Sequence, residues 1–222
     1  MLKIFATEVI DPEWGNYFEL TTWGYMALIG VLLCVLFAAA FATKSHKLST
    51  KQLVFCAMGM ALAMVTSNLK IWRMPMGGSV TLLSMLFISL IGYWYGLRTG
   101  ILTAVAYGRL QLSLDPYIIS LPQLFIDYIF AFGALGMSGI FANSKNGLYK
   151  GYAASVIGRF VFAFISGVAF FGSSAASYNM SVPIYSICYN GAYIFTEAVI
   201  TFIVIARPPV KDALTRTKKL AN

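Results

Sequence analysis

Four ionisable side chains stand inside long apolar runs: Arg109, Asp127, Arg159 and Glu197. A charge carried into a bilayer costs roughly 2.5–3.5 kcal/mol on insertion scales, so each needs a compensating partner or a function. Asp127 lies roughly 9 Å from the start of its run near Leu121, at about 1.5 Å per helical residue. Tyr128 follows it. Tyr185, Tyr189 and Asn190 enter the last run at a similar depth, Phe170 and Phe171 close the run before, and Trp72 and Met76-Gly-Gly-Ser79 precede the third. One carboxylate, an amide and several rings suit a flat, cationic, hydrogen-bonding ligand. The carboxylate takes donors, while the rings stack and attract positive charge. The same residues also allow a structural reading. Tyr and Trp gather at membrane interfaces in any case, and Asp127 could pair with an intramembrane arginine. Glu197 and Arg159 are expected to pair with each other or to lie at an interface. Arg109 is near enough to a helix end to snorkel.

No catalytic set accompanies these residues. GxSxG, HExxH and protease-type paired aspartates are absent, so no enzyme activity is expected. GxxxxGK[ST] is absent too, so any ATP-driven transport needs partner subunits to hydrolyse the nucleotide. His46 is a lone loop histidine. Cys34, Cys56 and Cys188 lie in apolar runs without CxxC spacing and read as packing residues. No metal or cofactor is expected.

The elements that must position these groups are membrane helices. Of 222 residues 59% are hydrophobic and 11% charged, against about 25% charged in soluble domains. Mean hydropathy is +0.76. Seven runs approach the roughly 20 apolar residues that a crossing needs: 22–43, 52–69, 80–97, 99–113, 121–141, 151–172 and 182–206. With the N-terminus outside, the inner segments hold eleven bases: Lys44, Lys47, Lys51, Arg98, Lys145, Lys150, Arg207, Lys211, Arg216, Lys218 and Lys219. The outer segments hold three, Lys3, Lys70 and Arg73. The bias toward the inside predicts seven spans, N-terminus out and C-terminus in. The net charge of +8 is thereby assigned to membrane orientation rather than to nucleic acid. Residues 1–21 carry Glu8, Asp11, Glu13 and Glu19, and do not read as a cleaved signal. The predicted organisation is an extracellular segment at 1–21, a helix at 22–43, a cytoplasmic linker at 44–51, a membrane domain at 52–206 and a basic cytoplasmic tail at 207–222. Small residues four apart, at Ala57/Ala61, Gly92/Gly96 and Gly96/Gly100, allow close helix contact, within the bundle or with a second membrane protein.

Several segments resemble the thiamine-specific S-components of energy-coupling factor (ECF) transporters. They are DPYIISLPQLFIDY at 115–128, RFVFAFISG at 159–167 with FFG at 170–172, YSICYNG at 185–191, and MGGSV at 76–80. The resemblance covers about 52–206 and leaves 22–43 as an added helix. It implies an all-α, six-helix membrane bundle in the plasma membrane. Such a bundle binds thiamine from outside and works with a transmembrane coupling subunit and two ATPase subunits. The family's carboxylate–tyrosine pair at the aminopyrimidine matches Asp127 and Tyr128, with an aspartate where the family also uses glutamate. Tyr117, Tyr185 and Asn190 match further site residues, and Trp72 is the candidate for a site tryptophan near the second core helix. Ala57 and Ala61 match the family's AxxxA docking face. A family histidine falls on Ala163 and a family tryptophan on Phe171. These departures leave open an S-component for another small vitamin or a pyrimidine precursor. A self-sufficient channel or secondary transporter is the alternative from outside the family.

Overall fold

In the computed structural model, which describes Ile4 and residues 6–9, 17–41 and 48–221, each apolar run contains a helix. A hairpin of β1 (Ala6–Val9) and β2 (Tyr17–Leu20) precedes α1 (Thr22–Phe41). The predicted linker bases Lys44 and Lys47, with His46, and much of the 1–21 segment lie outside the described residues. Helix α2 (Thr50–Asn68) starts with a capping box, in which Ser49 and Gln52 satisfy each other's backbone N–H. A short hairpin, β3 (Lys70–Arg73) and β4 (Ser79–Thr81), leads to α3 (Ser84–Tyr95) and α4 (Leu97–Leu114). Then come α5 (Leu121–Phe141), α6 (Gly147–Phe170), the short α7 (Gly172–Ala176) and α8 (Val182–Ile205). The basic tail is a helix as well, α9 (Pro208–Ala221). Helices α2, α5, α6 and α8 are long and apolar enough to cross a bilayer.

The third run differs most from expectation. Only Ser84–Tyr95 is helical, 12 residues, or about 18 Å against a hydrocarbon core of about 30 Å. This short helix is the centre of the bundle, packed against α2, α4, α5 and α6. Gly96, at φ +86°, turns the chain into α4. Beyond it the backbones approach so closely that a Cβ on Gly100 would lie 2.6 Å from Gly92 Cα and 2.8 Å from the Gly136 carbonyl oxygen. The Gly92/Gly96/Gly100 spacing therefore serves the α3–α4–α5 crossing inside the chain.

Glu197 is not paired with Arg159. It reaches from α8 to the start of α3, where Leu83 sits at φ +64° and supplies no side-chain cap. One carboxylate oxygen accepts from Met85 N–H at 3.0 Å and Ser84 Oγ at 3.1 Å, and the other from Thr81 Oγ1 at 2.6 Å. A carboxylate 3% exposed is thus held by three donors and by the positive end of a helix. Glu197→Ala strands those donors in the core, and thermal unfolding in detergent is expected to show a loss of about 3 kcal/mol or more. Glu197→Gln keeps one acceptor oxygen and can donate to Thr81 Oγ1, so its loss is expected to be about 1 kcal/mol. Equal melting of the alanine variant and the parent would remove this cap from the list of what holds α3.

Candidate binding site

At one end of the bundle a cavity of about 140 Å³ opens between the β3–β4 hairpin and the adjoining ends of α4, α5, α6 and α8. Thr81 and Ser84, the residues that hold Glu197, line it. Because α3 is short, the hairpin and the Leu83 turn fill the layer that a full-length span would occupy.

Asp127 lines the cavity from a π-helical stretch of α5, Phe125–Ala131. Such widened turns recur at functional sites. Gln123, one turn earlier and 1% exposed, donates to the Asp127 carboxylate at 2.5 Å and to Tyr117 O at 3.1 Å. Its own carbonyl oxygen accepts from Ile119 N–H at 3.2 Å. Ser166 faces the same carboxylate, yet its Oγ, in a side chain 1% exposed, has no hydrogen-bond partner among the described residues. Arg159 lies across the cavity with its guanidinium carbon 4.5 Å from the Phe132 ring centroid. Among the described residues the ion pair found is Lys70–Asp115 at the cavity rim, and Arg159 has none.

The other expected residues divide by what their polar atoms already do. Tyr128 is buried, and its hydroxyl accepts from Tyr117 N–H at 2.7 Å and donates to Asp115 O at 3.2 Å. It pins the loop that carries Tyr117. Asn190 donates to Ala163 O and Ser186 O, both at 3.1 Å, and accepts from Tyr193 OH at 3.0 Å. It clamps α8 to α6 and lines the cavity. Tyr117 and Phe171 are stacked at 6.2 Å, and Tyr185 and Tyr189 at 5.8 Å, giving two aromatic walls. Tyr189 also accepts from Gly78 N–H at 2.9 Å and donates to Pro75 O. That holds the loop in which Met76, at φ +60°, lines the cavity.

Trp72 lies on β3, 57% exposed, and is not among the cavity-lining residues. Ala163 and Phe171 both line the cavity. The sequence reading missed Gln123, Arg159, Ser166 and Tyr193 as site residues. Helical spacing could have found them: Gln123 stands four before Asp127, Arg159 four before Ala163, Ser166 three after Ala163, and Tyr193 three after Asn190.

The family model described as thiamine transporter protein (Thia_YuaJ) matches residues 53–216. The thiamine transporter ThiT of Bacillus subtilis (strain 168) is 37% identical over 146 residues, covering 60% of this chain and 75% of that protein. A solved structure of ThiT from Listeria monocytogenes superposes with a TM-score of 0.59 at 24% identity, over 71% of this chain and 94% of that one, and shows the shared fold. With four helices among the described residues long and apolar enough to cross a bilayer, this chain is a multi-pass plasma-membrane protein and belongs to the ThiT family of thiamine transporter proteins.

Proposed function

We propose that the chain is the substrate-binding membrane subunit of an ECF-type importer, capturing thiamine from outside for ATP-driven uptake by a coupling subunit and two ATPases. The observation that carries this reading is the cavity's unanswered polarity. Among the described residues Gln123 donates to Asp127, the Ser166 Oγ facing it has no hydrogen-bond partner, and both stand beside aromatic walls. Thiamine has complementary chemistry. Its aminopyrimidine offers donors to Asp127, and its thiazolium is a flat cation for Tyr117, Phe171 and Tyr185. Asn190 offers its side-chain carbonyl oxygen, which also accepts from Tyr193, and Tyr128 acts by holding Tyr117 in place. Phe171, where the family has tryptophan, keeps a stacking face of smaller area.

In the proposed topology there are seven spans, α1 added to a six-helix domain over 52–206, with the N-terminus out and the C-terminus in. The cavity draws on the late part of α4, the early part of α5, the late part of α6 and the early part of α8. Arg98, Lys145, Lys150 and α9 therefore lie at the opposite end. The positive-inside rule puts that end in the cytoplasm and the cavity on the outer side. Ala57 and Ala61 are exposed on α2, while Cys56, Gly59 and Ala63 face inward. This small-residue face is free for the coupling subunit.

Two tests follow. Asp127→Asn is expected to melt with the parent but to bind thiamine roughly 10- to 150-fold more weakly, for a lost charge-assisted bond of about 1.5–3 kcal/mol. A variant that melts early and binds as tightly as the parent would remove Asp127 from the site. Separately, Ala57→Leu and Ala61→Leu are expected to abolish uptake in vesicles carrying the whole transporter while leaving the thiamine Kd within about twofold, because bulk on this face holds backbones apart. Joint loss of binding and uptake would instead mark the face as internal packing.

A further inference from the structure

Helix α1 lies outside the segment that the family model matches, residues 53–216. It nevertheless packs against α4 and against the part of α5 that carries Asp127. Its first turns also reach the end of α6. The Tyr25 hydroxyl donates to Ala169 O at 2.9 Å, and its ring is stacked on Phe170 at 5.0 Å with 26° between planes. Ala169 belongs to the last turn of α6, where carbonyls have no partner within the helix. The next residues are the cap, Phe171, which lines the cavity and stacks on Tyr117. Trp23, two residues before Tyr25, points away and is 69% exposed.

We infer that α1 is a built-in part of the site wall and that Tyr25 is a positioning residue, holding the end of α6 so that Phe171 stands against Tyr117. The inference rests on the thiamine reading above for its ligand but not for its geometry. Tyr25 touches no cavity surface itself; it acts through the Ala169 carbonyl and the Phe170 ring. Tyr25→Phe removes the hydrogen bond and keeps the ring, and Tyr25→Ala removes both.

The experiment has two arms on the full chain in detergent. In the ligand-free arm, hydrogen exchange across 169–175 is expected to rise about 5-fold in Tyr25→Phe, the worth of one net hydrogen bond, and more in Tyr25→Ala. It is expected to be unchanged in Trp23→Ala. In the binding arm, thiamine Kd is expected to weaken about 5-fold in Tyr25→Phe and at least 10-fold in Tyr25→Ala. The Tyr25→Ala effect is expected to vanish in a Phe171→Ala background while persisting in an Asp127→Asn background. A merely structural role would lower the melting temperature without that selective coupling. Unchanged exchange at 169–175 overturns the inference, as does a Tyr25→Ala effect on Kd that is the same with and without Phe171. If the parent fails to bind thiamine at all, the thiamine reading falls, and the exchange arm alone decides whether Tyr25 holds the end of α6.

Discussion

Glu197 and Asp127 are both carboxylates on apolar helices, and the same constraint acts on each. A charge withdrawn from water must be met by donors inside the chain or by something that enters from outside. Glu197 is met by Thr81, Ser84 and the Met85 N–H, and by the start of α3. Its acceptor capacity is spent on architecture. Among the described residues Asp127 accepts from Gln123, the Ser166 Oγ facing it has no hydrogen-bond partner, and Arg159 stands over Phe132 without an ion pair. The difference in compensation separates a structural carboxylate from one available to a ligand, although sequence context makes the two look alike.

The compensated carboxylate builds the place where the other one stands. By capping α3 from α8, Glu197 lets a helix begin at Ser84 after a strained Leu83. The glycine crossing at Gly100 and Gly136 then seats that short helix deep among its neighbours. The layer above it is left for the β3–β4 hairpin, the Met76 loop and the cavity. Tyr128, Asn190 and Tyr189 hold the walls by bonding to backbone in Tyr117, Ala163 and Gly78. The site is therefore rigid where its hydroxyls and amides are committed, and polar toward the cavity where Asp127, Ser166 and Arg159 are not.

Much of this was legible in the sequence. Hydropathy placed a helix in each of the seven apolar runs, because length and apolarity are local properties of the chain, but it did not find the short α7 or the helical basic tail α9. The motifs around Asp127, Phe171 and Tyr185 placed those side chains around one cavity, because helical period fixes which residues share a face. What failed was partnering. Glu197 and Arg159 looked like a pair because both are in-span charges. Only the fold shows that α8 delivers Glu197 to a helix start and that Arg159 faces the cavity. Trp72 stands outside the cavity lining for a related reason: on a two-stranded hairpin one residue of register changes the face a side chain takes, and neighbouring residues did not reveal which. The packing of α1 onto the end of α6 is a contact between distant residues, Tyr25 and Ala169, that no local pattern encodes.

A structure of the chain with thiamine bound bears most directly on this division of labour. An aminopyrimidine nitrogen is expected within about 3.2 Å of an Asp127 carboxylate oxygen, with the thiazolium between the Tyr117–Phe171 and Tyr185–Tyr189 walls and Glu197 still on Thr81, Ser84 and Met85. Thiamine bound away from Asp127, or a Glu197 carboxylate released from the start of α3 to meet it, would contradict the assignment of the two carboxylates.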